Sequence, residues 1–430
     1  MEATVDIERY ADQGRCVAHI DGRVVFVRFA LPGERVRIEL DEPTNRNDRF
    51  WTGEVVEVLE PSPDRVEPLW PLAAPLAMGG GAGGADLIHV SLEGQERWKE
   101  ATLKDVMKRL GHVDLDDVPV YAMPGDEQAH GLHWRTRIEM VTDDEGRPSM
   151  RRRGTHVRVP IDTMPLATRA VLEVAEMNGV WDGNLPENAQ IRIAVPEPRV
   201  DAEQIADPEA LRKAIGRNYA IMVDGKVRHG SRALKETIMV DGKPFEYTVD
   251  AGGFWQMHRE APMVLPQYVI DQIRETPGDR APRNGRNLVI WDLYSGSGLF
   301  TLPLATLLDD RAKLVSIEGA KDAVANARRN LRNAGIHTVQ AWCTRLTRTS
   351  ILNARIPTSS CSTRLVPARR PKCAIRSRTA VRRSSSTSHA IRPRLHVTRR
   401  RSPNMGTGST PSRPSTSTRR PTMWRPSQSS

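Results

Sequence analysis

Between residues 4 and 59 apolar and polar positions alternate in short runs, VDIERY, CVAHI, RVVFVRF, ERVRIEL and WTGEVVEVLE, cut by turn signals at DQG, DG, LPG and DEPTNRND. A period of two is that of a half-buried strand, and about five strands in so short a stretch predict a small closed barrel. The proline-rich PSPDRVEP at 61–68 ends that unit. The GGGAGG run at 79–84 reads as a flexible connection, after which Trp98, Leu103, Val106, Met107 and Leu110 recur at helical spacing and Gly111 supplies a stop.

From residue 130 to 250, strand-like stretches HWRTRIEMV, THVRVPI, IRIAV, YAIMV and FEYTVD surround a helix-like TRAVLEVAEMNGVW, the mixture of an α+β unit. Residues 263 to 340 then alternate helix, strand, helix, strand, helix, as a parallel doubly wound sheet does. Beyond residue 343 periodicity stops, Ser, Thr, Arg and Pro dominate, and no acidic residue follows Asp322. Such a segment buries too little apolar surface to offset its ordering entropy and is expected to be a disordered tail.

Composition changes the picture in one respect. The 430 residues, 39% apolar and 27% charged, suit two or three soluble domains. No apolar run approaches the ~20 residues of a spanning helix. The opening MEATVDIERY is acidic where a signal peptide would be basic, so the cytoplasm is the expected compartment, with no membrane partner. The net charge of +10 suggests nucleic acid until it is divided: residues 344–430 hold 19 Arg, one Lys and no acid, while residues 1–343 carry a net −10. RNA contact in the body therefore requires local patches such as Arg151, Arg152 and Arg153. Cys16, Cys343, Cys361 and Cys373 lack metal-site spacing and read as unpaired thiols.

Chemistry concentrates at one place. The apolar strand Leu288 to Trp291 ends in Asp292, followed by Leu293-Tyr294-Ser295-Gly296-Ser297-Gly298 and a helix face of Leu299, Leu302 and Ala305. Glycines at a strand-to-helix turn let a ligand approach the backbone and the helix N-terminus. A second strand, from Lys313 to Ile317, ends in Glu318, 22 residues after Gly296, near the offset at which a carboxylate receives ribose hydroxyls. With no further phosphate-cradling glycine and no P-loop lysine, an adenosine cofactor without pyrophosphate fits better than NAD or ATP, and S-adenosylmethionine is the natural candidate. A bare tight turn is the bland alternative; the acidic strand end argues against it.

Four stretches in order carry a family resemblance: GRVVFVRFALPGERVRIEL with EPSPDRVEP, GGADLIHVSLEGQERWK, GGFWQMHREA, and WDLYSGSGLFTLPLA followed by SIEGAKDAVANARRNLRNAG. Over residues 4–340 the chain resembles the RNA 5-methyluridine (uracil-carbon-5) methyltransferases that carry an N-terminal TRAM domain. The resemblance implies an α/β protein with four parts: an OB-like RNA-binding barrel at 1–62, a mixed α+β middle domain at 63–250, a Rossmann-like doubly wound methyltransferase domain at 251–343, incomplete, and the tail at 344–430. The helix at 95–111 is expected to pack with the methyltransferase domain. Tyr10, Phe26 and Phe29 are candidates for base stacking, although core packing is the commoner fate of such residues in a small barrel. Carried over by position, Gln256, Tyr294 and Glu318 would contact S-adenosylmethionine, joined from the motif itself by Asp292, Gly296 and Gly298. The partner would be ribosomal or transfer RNA, and no protein partner is predicted.

Two departures from the family matter. Many members hold an iron–sulfur cluster on four cysteines, whose counterparts here fall near Trp70, at Ala82 and Ala85 of the Gly-rich run, and at Met164 before Pro165-Leu166; none supplies a thiolate, so no cluster is expected. The second is the nucleophile. Carbon 5 of uracil needs a thiolate added at carbon 6 before it attacks the donor, then a carboxylate to remove its proton, on a base flipped from its stack. The family's DPPR, CDP and HHVE segments that hold these groups are absent as words, leaving no catalytic residue to name.

They reappear when the reading slides by one nucleotide. Residues 362–368 can then encode LDPPRAG, 397–403 CDPASLA, and 416–428 DIYPTTHHVETVA, all with one offset; Trp424, with its single codon, forces the Val of the last. A frameshift near residues 340–350 follows, testable by resequencing codons 335–350, and Cys343, Cys361 and Cys373 are then accidental. Without the later strands, Leu288 to Trp291 is expected at an exposed apolar edge of an aggregation-prone domain. The rival readings are a non-catalytic RNA-binding protein using the barrel and basic tail, and a methyltransferase with another acceptor.

Overall fold

The computed structural model describes residues 1–41, 48–275, 288–308, 312–334, 336, 338–340 and 359–362. The first sheet comprises β1 (Glu2–Asp6), β2 (Arg9–Tyr10), β3 (Arg15–Ile20), β4 (Arg23–Arg28), β5 (Arg35–Leu40) and β6 (Trp51–Glu60), in the order β1-β5-β6-β4-β3-β2. Alternation sends Val25 and Val27 of β4 and Val36, Ile38 and Leu40 of β5 inward, where they are at most 2% exposed. Of the stacking candidates, Phe29 is 1% exposed and belongs to that core, which rules out a surface role. Tyr10 leans on Trp98 at 4.8 Å, whereas Phe26 meets the exposed Phe50 edge-on at 5.3 Å.

Helix α1 (Leu92–Gly111) is capped by Ser91, whose side chain accepts from Gly94 N. It does not deliver Trp98 to the methyltransferase domain. Trp98 packs in the barrel's core beside Val90 and donates from Nε1 to Ala11 O at 3.1 Å. Arg65, within the proline-rich stretch, bonds Glu34 through Nε and a terminal nitrogen, so the barrel's packing runs past residue 62. The Gly-rich run is not slack either. Gly81 N bonds Ala74 O, Gly83 N bonds Arg151 O, and a Cβ on Gly80 would lie 2.3 Å from Ala74 O. Arg153, expected in a surface patch, is turned inward and donates to the carbonyls of Ala73, Ala74 and Ala82. Its cation replaces slack with three backbone anchors.

The central sheet is antiparallel: β7 (Arg137–Thr142), β8 (Pro148–Arg151), β9 (Arg158–Pro160), β10 (Gln190–Ala194), β11 (Ala220–Val223) and β12 (Lys226–Gly230), in the order β12-β11-β10-β7-β8-β9. Helices α2 (Arg169–Met177), α3 (Ala202–Ala206) and α4 (Pro208–Ile215) accompany it. The positions weighed for cluster ligands come to this region: Trp70 and Met164 lie in its core and Ala85 packs against it.

A hairpin follows, β13 (Ala233–Val240) with β14 (Lys243–Asp250), then α5 (Ala261–Glu275). The last sheet alternates β15 (Leu288–Leu293), α6 (Thr301–Leu308), β16 (Ala312–Glu318), α7 (Lys321–Asn330), β17 (Thr338–Gln340) and β18 (Ser359–Ser362). Its strands are parallel in the order β17-β16-β15-β18, so the direction of winding reverses between β15 and β18. Leu234, Ile238, Phe245 and Tyr247 of the hairpin share one core with Ile290, Leu299 and Leu304, which carries packing across the expected boundary at 250.

The exposed edge expected at Leu288 to Trp291 is not found. β18 pairs with β15 from Ile290↔Ser359 to Leu293↔Ser362, and Ile290 and Trp291 are 1% and 6% exposed. A ladder is built from main-chain N–H and C=O groups, which serine supplies as well as valine does; the sequence reading weighed side chains alone. The rest of the proposed tail lies outside the described residues.

Candidate functional site

In an open parallel sheet ligands bind beyond the carboxyl ends of the strands where the winding reverses. Here that point is the end of β15. Asp292 closes the strand fully buried, with Oδ2 accepting from Thr301 Oγ1 and Oδ1 buried without a hydrogen-bond partner. Burial, assisted by the nearby Glu318 charge and opposed by Thr301, raises its carboxyl to about 6.

The chain then turns through the left-handed region at Tyr294 (φ 62°), Gly296 (φ 57°) and Gly298 (φ 91°). A Cβ on Gly296 would meet no atom within 4 Å, so the loop presents open backbone there. Glu318, at the end of β16, accepts from Gly296 N at 2.9 Å, Gly319 N at 2.7 Å and Ala320 N at 2.8 Å. One carboxylate thus ties the glycine loop to the start of α7.

A narrow cleft of about 30 Å³ is lined by Phe254, Trp255, Gln256, Tyr294, Ser295 and Gly296, among others. The structure therefore brings Gln256, Tyr294 and Gly296 into one wall. Asp292, Gly298 and Glu318 are not in that wall; Asp292 lies in β15, Gly298 in the turn that follows it, and Glu318 reaches the wall through Gly296 N. A larger cavity, about 530 Å³, lies in the central domain around Trp181 and Leu211 and contains none of the motif residues.

Sequence reading missed the supports behind the loop. Tyr247 Oη donates to Leu299 O at 3.0 Å, and its ring lies 5.3 Å from that of the buried Trp255. Asn330 Oδ1 accepts from Thr248 N at 2.9 Å, while its Nδ2 donates to Thr248 O at 3.2 Å and Ser297 O at 3.0 Å. FEYTVD reads as strand-like without singling out Tyr247, and nothing in the sequence marked Asn330.

The barrel matches the TRAM domain model over residues 2–58. An RNA methyltransferase of Bifidobacterium longum is 59% identical over 349 residues, covering 81% of this chain and 77% of its own. The chain belongs to the RNA methyltransferase family. Another member, from Streptomyces avermitilis, is 33% identical over 345 residues, spanning 77% of this chain and 75% of the relative. The 23S rRNA (uracil(1939)-C(5))-methyltransferase RlmD of Chromohalobacter salexigens is 30% identical over 371 residues, with 79% of this chain and 71% of that one covered. As an RNA methyltransferase the chain has a strand-to-helix glycine turn, a buried acid beneath it and a second acid beside it, in the sheet order of a nucleotide-binding fold. Among the described residues no helix is long and apolar enough to cross a membrane.

Proposed function

We propose that this chain descends from an RNA uracil-carbon-5 methyltransferase, with a formed donor site for S-adenosylmethionine and, as its sequence stands, no acceptor chemistry. The supporting observation is the site at the end of β15. The unsatisfied Asp292 Oδ1, the open face of Gly296 and the Glu318 carboxylate suit a ligand with both a charged amino-acid end and ribose hydroxyls. Gln256 and Tyr294 would hold it from the cleft wall, Gly296 and Gly298 would admit it to the backbone, and Glu318 would take the ribose. Bound there, it supplies an electrophilic methyl group. The uracil assignment draws on the RlmD relative, and the acceptor would be a uridine of ribosomal or transfer RNA in the cytoplasm.

What is missing is the thiolate and the base. Cys16 cannot serve: it is buried in the barrel, its Sγ lies 3.2 Å from Ala30 O, and burial with the nearby Glu34 charge pushes its thiol far up. Cys343 and Cys373 lie outside the described residues, and Cys361 falls on β18. The one-nucleotide slide restores DPPR, CDP and HHVE in order, and we assign the loss to that slip. At the four cluster positions, Trp70, Ala82, Ala85 and Met164 offer no thiolate, so this reading includes no iron–sulfur cluster.

The test uses the full chain with labelled donor and a 23S rRNA fragment. Donor binding without 5-methyluridine is expected. Formation of 5-methyluridine by protein of confirmed sequence overturns the loss of chemistry, absence of donor binding overturns the donor site, and a different methylated nucleoside reassigns the acceptor. The 20 uncompensated cations of residues 344–430 favour a second reading, a non-catalytic RNA binder, marked by salt-sensitive RNA affinity without turnover.

A further inference from the structure

Burial holds four arginines below the ordinary guanidinium value: Arg135, Arg137, Arg153 and Arg192. Three have carboxylates that oppose the effect, Glu236 and Asp250 for Arg137, Glu54 and Asp86 for Arg153, and Asp250 for Arg192. Among the described residues Arg135 has none, and burial alone lowers it. Its guanidinium lies 4.6 Å from the centroid of Trp134, its Nε is buried without an acceptor, and Nη1 reaches only the thioether of Met257 at 4.0 Å. A thioether is a weak acceptor, and a half-buried cation without a counter-charge keeps part of its desolvation cost unless an anion joins it.

The cost is borne next to the donor cleft. Arg259 N bonds Trp134 O at 2.9 Å, while Thr136 donates to Met257 O from N at 2.8 Å and from Oγ1 at 3.1 Å. On the other side Arg135 N bonds Leu166 O, and Thr168 N bonds Arg135 O. Arg135 is thereby stitched to the residues that directly follow Gln256 in the cleft wall. Its ring partner Trp134 is itself stacked on His258 at 5.6 Å and 15°.

We propose that Arg135, seated on Trp134 beside Met257, takes a backbone phosphate of the RNA substrate and so fixes the strand alongside the donor cleft. The inference rests on the reading that the acceptor is RNA. A planar guanidinium matches a phosphate through two parallel hydrogen bonds, and that anion supplies the counter-charge the protein withholds.

The experiment compares the full wild-type chain with Arg135→Gln and Arg135→Lys, titrating a labelled oligouridylate at several salt concentrations and S-adenosylmethionine separately. For R135Q the slope of log affinity against log salt falls by about 0.7, the increment for one single-strand phosphate contact. Donor affinity stays at the wild-type value, and R135K keeps the wild-type slope. The cations of the tail contribute equally to all three proteins, so the difference isolates one contact. In the wild-type chain, RNA also shields Arg135 from an arginine-selective dicarbonyl reagent, read by mass spectrometry; this decides the matter if R135Q does not fold. An unchanged slope in folded R135Q, a parallel loss of donor affinity, or no shielding overturns the proposal while leaving the donor site standing. A wild-type chain that binds neither donor nor RNA instead removes the functional reading beneath it.

Discussion

Replacing Asn330 with Ala tests whether the hairpin holds the donor loop in place. The side chain joins three backbone groups, Thr248 N, Thr248 O and Ser297 O, and the residues that own them are buried at 8% and 6% exposure. A buried polar group left unpaired costs about 1–3 kcal/mol. Asn330 is itself only half-buried, so water reaches part of the gap and the lower bound applies to each group, for a total of about 3 kcal/mol. In a cooperative unit of roughly 150–250 residues that lowers the melting temperature by roughly 6–12 °C. Ser297 lies in the glycine loop, so ordering the loop must then be driven by the ligand, and donor affinity falls about tenfold for every 1.4 kcal/mol so diverted. N330D distinguishes hydrogen bonding from packing: its carboxylate faces two carbonyls and is worse than Ala near neutral pH, although it is closer in size to Asn. Urea unfolding and donor titration calorimetry read both quantities. A loss under about 1 kcal/mol with wild-type donor affinity refutes the reasoning.

For Asp292 the sign is fixed by its raised carboxyl: the folded chain holds the proton more tightly than the unfolded one, so this group's contribution to stability is complete below about pH 4 and is lost as pH rises through about 6. D292N flattens unfolding free energy across that window and weakens donor binding; an unaltered pH profile contradicts the assignment. Trp98→Ala removes a ring from the barrel core and costs about 3–5 kcal/mol, seen as early loss of hydrogen-exchange protection in β1–β6; early loss confined to β15 and β16 would place the helix elsewhere. Gly296→Ala costs about 1–2 kcal/mol through its positive φ alone, yet its Cβ enters open space at the cleft and cuts donor affinity, so a stability loss with intact donor binding would show that the ligand does not approach this backbone.

The barrel was legible because one face of each strand is buried and the period of two survives in Val25, Val27, Val36 and Ile38. The donor turn was legible because its geometry requires glycine at φ values other residues avoid, and because Glu318 ends the next strand. What stayed hidden depends on groups that sequence periodicity does not encode. The Gly-rich run looked slack because its order comes from the Arg153 cation donating to Ala73, Ala74 and Ala82 carbonyls, contacts made by a residue 71 to 80 positions away. Asn330 sits at the end of a polar helix, and only the fold shows that its amide faces Ser297 O. Trp98 fell at helical spacing, which identifies a buried face without naming the partner that buries it.

The strand at Ser359–Ser362 is where topology and composition disagree. β18 pairs with β15 at the end of this order, and the strands of a parallel sheet, covered on both faces, read as near-continuous apolar runs. Ser-Ser-Cys-Ser satisfies the ladder but offers the sheet faces nothing apolar. The proposed slip accounts for this in a way that composition alone does not. A serine codon of the TCN type, read one base earlier, becomes NTC, and every such codon encodes Phe, Leu, Ile or Val. Cys361 carries TG as its first two bases, so the slid codon ending there is Leu, Met or Val whatever precedes it. A run of serines around a cysteine is therefore what an apolar strand becomes when read in the neighbouring frame, and this run stands immediately before the residues that can encode LDPPRAG. If the gene instead uses AGY codons for Ser359 and Ser360, the slid reading gives Gln, Lys, Glu or a stop, and an apolar strand in the neighbouring frame is excluded at this point by those two codons alone.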